Sequence, residues 1–143
     1  MLPFLDINVW LPLVWEAHVA NRAATLWVES QEKDLCLCRV TQLALLRHLC
    51  NPSIMGEDVL TNQEAGDVVS GLVATPGVRI CADPNELDTV FPSIGKSGRS
   101  ERNRWTDAYL AAFAISGQYQ LVTFDRGFER YESLGLHWHL LQV

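Results

Sequence analysis

The sequence predicts an α/β fold with a mainly parallel central sheet, and three observations carry that prediction. Residues 2–5 form a short apolar run ended by the charge of Asp6, the pattern of a strand covered on both faces. Strand-like runs then alternate with helical segments, the rhythm of βαβ units. Acids also follow strands: Asp6 closes the first run and Asp125 closes residues 121–124. The carboxyl ends of parallel strands are where open α/β sheets bind their ligands.

The elements follow in order. After the first strand and a loop through Asn8, residues 17–32 place Val19, Ala23, Leu26 and Trp27 at helical spacing. Asn21, Arg22, Glu29, Gln31 and Glu32 supply the polar side of this amphipathic helix. Residues 35–38 make a second strand. Thr41 caps a helix through Leu43, Leu46 and Leu49 that stops at Asn51-Pro52. Residues 62–74 form another helix, started by Thr61 or Asn62 and ended near Thr75-Pro76-Gly77, and residues 78–81 a third strand. Asp83-Pro84 opens a turn into residues 86–90. Residues 92–104, with Gly95, Gly98 and three serines, read as one long loop suited to an active-site rim. Thr106 caps the next helix, where Leu110, Ala111 and Ala114 share a face with Asp107. Residues 121–124 are the fourth strand and 137–141 a last edge strand. No repeat or low-complexity segment breaks the chain, and residues 1–143 read as a single domain.

Composition narrows the function classes. A net charge of -6 argues against a broad basic face that holds duplex DNA. Locally the balance reverses, because Lys96, Arg99, Arg102 and Arg104 place four of the eleven basic residues just before Asp107. On residue type alone such a cluster reads as a solvated loop, and its position beside a candidate metal site raises the odds of a phosphate contact. Cys36, Cys38, Cys50 and Cys81 lack the paired spacing of a zinc site and read as buried free thiols. The apolar N-terminus has no basic leader and carries Asp6 early, so it reads as a core strand rather than a signal peptide. No run approaches the roughly 18 to 20 apolar residues of a membrane span. A reducing cytoplasm fits these features.

Four polar side chains, Asp6, Gln42, Asp107 and Asp125, stand at element ends and carry the chemistry. Singly, each acid has an ordinary explanation: an Asx turn at Asp6, the helix dipole at Asp107, a turn at Asp125-Arg126-Gly127. Together at one sheet edge, carboxylates with no lysine among them repel one another unless a cation intervenes. That donor set calls for a hard divalent metal, and the metal suggests phosphate chemistry. Asn8 and Thr123 lie close enough in sequence to orient the carboxylates. His18 and His48 are single histidines on mixed helix faces and read as structural; His137 and His139 share one face of the edge strand. Trp10, Trp15 and Trp27 read as packing for a core or a dimer seam.

Four segments taken together resemble a known family. They are Leu5-Asp6-Ile7-Asn8-Val9, the helix start Val40-Thr41-Gln42-Leu43 running to Arg47 and Asn51-Pro52, Trp105-Thr106-Asp107-Ala108-Tyr109-Leu110-Ala111-Ala112, and Leu121-Val122-Thr123-Phe124-Asp125-Arg126-Gly127-Phe128. In this order and spacing, they are similar to the PIN domain of VapC-type toxins, across nearly the whole chain. The resemblance implies a three-layer α/β/α Rossmann-like sandwich whose acidic pocket holds Mg²⁺ or Mn²⁺ and cleaves single-stranded or looped RNA. It maps Asp6, Asp107 and Asp125 onto three family acids, and Gln42 onto a position where the family usually has glutamate. A glutamine there offers a carbonyl oxygen but removes one negative charge, which weakens cation binding. A second ion arriving with substrate would sit roughly 4 Å from the first.

The resemblance further implies an endoribonuclease toxin of a type II toxin-antitoxin pair, acting on structured RNA such as tRNA or rRNA loops. Its partners would be a VapB-type antitoxin, laying a peptide with an arginine into the acidic groove, and a second copy of the chain in a homodimer. Arg99, Arg102 and Arg104 are the candidates for gripping RNA phosphate. Two alternatives compete with this reading. One is a PIN-like RNA- or protein-binding module weakened by Gln42. The other, more distant, is a haloacid-dehalogenase-like phosphatase, against which stands Asn8 where that class has an aspartate.

Overall fold

The computed structural model describes all residues, Met1–Val143. Five strands form one parallel sheet: β1 (Pro3–Leu5), β2 (Leu35–Leu37), β3 (Val78–Ile80), β4 (Gln120–Thr123) and β5 (Trp138–Leu140), in the order β3-β2-β1-β4-β5. The seven helices are α1 (Ile7–Val14), α2 (Asn21–Glu29), α3 (Arg39–Leu49), α4 (Pro52–Met55), α5 (Asn62–Ala74), α6 (Leu87–Gly95) and α7 (Arg104–Gly117). A tight 3-10 segment, Arg126–Leu134, links β4 to β5.

Because side chains alternate across a strand, neighbouring residues feed two separate cores. Phe4, Cys36 and Leu121 point to one face, against Ala111, Phe113 and Ala114 of α7 and Phe128 and Tyr131. Leu5, Leu35, Leu37 and Val122 point to the other, against Val9 and Trp10 of α1, Ala24, Leu45, Leu49 and Val69. The result is three layers, with the sheet between two sets of helices. Small alanines let α7 lie close on the sheet, and Phe113 fills the remaining space by stacking on Phe4 with ring centroids 4.6 Å apart. Phe113→Ala is expected to lower stability by about 3–5 kcal/mol, read as a urea midpoint shift at constant slope. A loss under about 1 kcal/mol would mean that this face of the sheet is loosely packed.

Several boundaries depart from the sequence reading. No loop runs through Asn8; α1 begins directly after Asp6, which caps it. Its eight residues are apolar almost throughout and include Pro12, so no amphipathic period marks it, and Pro12 forgoes one intrahelical bond. The second helix is shorter than residues 17–32, since Glu16 to Ala20 form turns before α2. Thr41 and Thr106 are not caps: α3 and α7 start two residues earlier, at Arg39 and Arg104. By contrast, Thr61 caps α5 in a full capping box with Glu64.

The expected loop over 92–104 is largely helix at its start, because α6 continues through Pro92 to Gly95. Phe91 packs edge-on to Trp105 and Tyr109, each with centroids 5.5 Å apart, and that contact holds the helix despite its proline. Gly95 is required there, as any Cβ would collide with the Trp105 ring. The irregular stretch is only residues 96–103.

Cys36, Cys38, Cys50 and Cys81 are free thiols, three of them buried. Trp10 is wholly buried in the core, Trp15 donates to Asp58 Oδ2 at 2.8 Å, and Trp27 stacks on His139. No helix is long and apolar enough to cross a membrane.

Candidate active site

The strand order reverses between β1 and β4, the place where a parallel sheet opens a crevice at its carboxyl edge. Asp6 follows β1 and Asp125 follows β4, so pairing of Leu5 with Val122 sets both acids at that crevice. Asp107 reaches it from the first turn of α7. The three aspartates line one cavity of about 460 Å³, together with Asn8, Ala44, Arg47, His48, Asn103 and Thr106.

A buried hydrogen-bond network joins the two strand ends. Asp6 is 5% exposed. Its Oδ1 accepts from the Ile7 amide at 2.6 Å and its Oδ2 from the Thr123 hydroxyl at 2.8 Å. Thr123 Oγ1 in turn accepts from Asn8 Nδ2 at 3.1 Å and from the Asp125 amide at 3.0 Å. Asn8 Oδ1 accepts from the Phe124 amide at 3.2 Å. Asn8 and Thr123 thus tie Asp6 to the turn that carries Asp125. Asp125 Oδ1 is itself held by the Gly127 amide at 2.7 Å.

The electrostatics record the crowding. Burial pushes the Asp6 carboxyl up to about 6, against the two hydrogen bonds that favour its charged form, and the nearby charges of Asp107 and Asp125 push the same way. Asp107 is also raised, first by burial and then by Asp125, while Arg130 and Arg104 pull it down. His48 is held below its usual value by burial, which keeps its ring neutral at physiological pH. The side chains as they stand do not close into a three-ligand cage of His, Cys, Asp or Glu. What they offer is an open pocket of hard oxygen donors under mutual repulsion, a donor set suited to a small divalent cation.

Gln42 is not part of this pocket. The structure does not bring it to the three acids: its Oε1 accepts from Arg39 on the outer side of α3, and it is absent from the cavity lining. The reason is helical phase. Thr41, Leu45 and Leu49 form the buried stripe of α3, and at about 100° per residue Gln42 and Ala44 flank that stripe on opposite sides. Ala44, Arg47 and His48 are on the pocket side. Gln42→Glu is therefore expected to leave divalent cation affinity within about threefold of the wild type. Ala44→Glu, which adds an acid inside the pocket, should strengthen divalent cation binding by about tenfold, measured by calorimetry. Equal effects of the two variants would overturn this placement.

Of the phosphate candidates, Arg99, Arg102 and Arg104 line a second cavity of about 610 Å³ with Lys96 and Trp105. From sequence, Arg47, Asn103 and Arg130 have no role here and His48 reads as structural. His48 falls one turn from Ala44, a spacing that could have drawn it in. Nothing in the sequence marks Arg130, whose nearness to Asp107 depends on the fold of the 3-10 segment.

Comparisons with known proteins give the family and the fold. Residues 4–134 match the PIN domain family model. Ribonuclease VapC41 of Mycobacterium tuberculosis is 33% identical over 137 residues, covering 92% of this chain and 94% of the relative. Ribonuclease VapC29 of the same organism is 33% identical over 127 residues, covering 89% and 88%. Among solved structures, VapBC2 from Rickettsia felis bound to a DNA fragment from its promoter superposes with a TM-score of 0.70 at 12% identity, covering 99% of this chain and 100% of that one. VapC20 of M. tuberculosis, described as a toxin that cleaves the Sarcin-Ricin loop, superposes with a TM-score of 0.66 at 13% identity, covering 94% and 95%. At those identities the two structures speak for the fold alone.

Proposed function

The chain belongs to the PIN domain family, and on that footing we propose that it is a metal-dependent endoribonuclease, the toxin of a type II toxin-antitoxin pair. The observation that supports this best is the convergence of Asp6, Asp107 and Asp125 on one cavity at the sheet's switch point. Relatives named as VapC ribonucleases point to RNA as the substrate. Structural neighbours that are VapBC complexes point to a VapB-type antitoxin as the partner. A homodimer fits the same family pattern.

Asp6 and Asp125 would hold a Mg²⁺ or Mn²⁺ ion directly, with Asp107 completing the set. When bound, the cation neutralises charge on a phosphodiester and eases deprotonation of a water. Thr123 and Asn8 keep the Asp6 carboxylate aimed, so that its position does not drift as charge builds up. Asp107, in the first turn of α7, would bind the ion directly or through a water. Arg99, Arg102 and Arg104 hold the RNA backbone beside the pocket.

The competing readings lose ground on particular residues. In a haloacid-dehalogenase-like phosphatase, position 8 would donate a proton; Asn8 instead spends its amide on Thr123 and Phe124. A weakened binding module rested on Gln42, which lies outside the pocket. The deciding experiment incubates the purified protein with structured RNAs under Mg²⁺, Mn²⁺ or chelator. Metal-dependent cleavage is expected, and no cleavage of any RNA with either metal would refute the proposal.

A further inference from the structure

The basic residues next to the acidic pocket are organised around one aromatic ring. Tyr131 is 1% exposed, and the guanidinium carbons of Arg104 and Arg130 lie 5.7 and 5.9 Å from its ring centroid. Two cations on one ring repel each other, and the ring offsets only part of that repulsion. Glu101 and Asp107 lie near both guanidiniums, but neither closes a tight ion pair with them. Glu101 Oε1 stands 3.8 Å from Arg130 Nη1, a loose pair, and Arg104 makes no ion pair at all. The Nε of Arg104 is buried without a hydrogen-bond partner.

Both arginines are fixed to the backbone that carries the pocket's acids. Arg104 opens α7, one helical turn before Asp107. Arg130 Nε donates to the Gly127 carbonyl at 3.0 Å, in the turn that follows Asp125. Arg104 also lines the 610 Å³ cavity with Lys96, Arg99 and Arg102. The surface therefore changes from acidic to basic within about one helical turn.

We propose that Arg104 and Arg130, braced on Tyr131, form a phosphate clamp that holds the RNA phosphate next to the one being cleaved and so sets the register of the strand in the pocket. This rests on the ribonuclease reading above. Guanidinium forks suit a phosphate because they donate bidentately in a fixed plane. Tyr131 is a positioning residue, holding the two planes in place. A phosphate contact carries no base information, so the clamp acts on where the strand lies and not on its sequence.

The test uses a single-stranded 2′-O-methyl RNA, which cannot be cleaved, with chelator present and over a range of KCl concentrations. Arg104→Gln and Arg130→Gln should each weaken binding about tenfold at low salt and each flatten the slope of log affinity against log salt by about 0.7, the signature of one lost single-strand phosphate contact. Arg130→Lys should restore the slope but only part of the affinity. Tyr131→Phe should match the wild type, and Tyr131→Leu should weaken binding about threefold with both arginines present. Arg22→Gln, on α2, serves as the unchanged control.

Wild-type affinity and slope in Arg130→Gln, in a variant whose thermal melt shows it folded, would overturn the clamp. So would a wild type that does not bind the RNA. A wild type that binds yet never cleaves with Mg²⁺ or Mn²⁺ sinks the ribonuclease reading and leaves the clamp's phosphate contacts standing. Cleavage with unaltered binding in both arginine variants does the reverse.

Discussion

Asp6→Asn is expected to abolish RNA cleavage while making the metal-free protein more stable, opposite effects of a single carboxyl group. The stability effect comes from burial. The Asp6 carboxyl lies at about 6 in the folded chain against an ordinary 3.8. Between those values the folded protein keeps a proton that the unfolded chain has released, so stability falls as pH rises through that window and levels off above it. At neutral pH the buried charge costs on the order of 2–3 kcal/mol. Asparagine removes that charge and can still accept from Ile7 or Thr123, so a net gain of about 1–2 kcal/mol is expected at pH 7.5.

Activity moves the other way, because losing a direct cation ligand costs several kcal/mol of transition-state stabilisation, on the order of a thousandfold in rate. Urea unfolding with chelator at pH 4.5 and 7.5, beside RNA cleavage, checks both halves. A variant less stable than wild type at pH 7.5, or a wild type with flat stability from pH 4 to 6, would contradict this account of Asp6.

Divalent cation should reverse the repulsion that burial creates. Mg²⁺ or Mn²⁺ at about a hundred times its dissociation constant is expected to stabilise the protein by about 2.7 kcal/mol. For a chain of this size that is a rise in melting temperature of roughly 5–10 °C. The shift should be larger at pH 7.5 than at pH 5, since Asp6 and Asp107 must lose their protons to bind the ion. Asp107→Ala should remove most of the shift, and chelator should stop cleavage. Cleavage that survives both chelator and Asp107→Ala would take the metal out of the chemistry.

How much of this was readable in advance depended on the kind of signal. Strands β1 and β4 were legible because a buried parallel strand is a short apolar run, and each is followed by an aspartate. The start of α5 was legible because a capping box is local chemistry between Thr61 and Glu64. Helix α1 was not, since its apolar residues show no period and Pro12 argues against a helix. The continuation of α6 through Pro92 was hidden for a similar reason: the contacts of Phe91 with Trp105 and Tyr109 outweigh a local preference.

Gln42 shows the limit most plainly. Its match to a family position suggested the pocket, yet the direction in which α3 presents it follows from which side of the helix meets the sheet.

The chain by itself determined the α/β layering and marked Asp6, Asp107 and Asp125 with their neighbours Asn8 and Thr123, because strand burial and the residues at strand and helix ends are local properties. Only the tertiary structure decided that Ala44 and His48 face the acids while Gln42 does not. It alone brought Arg104 over the ring of Tyr131, beside Arg130. Those relations join elements distant in sequence, and the angle at which helices pack on a twisted sheet is set by the whole core rather than by any one segment.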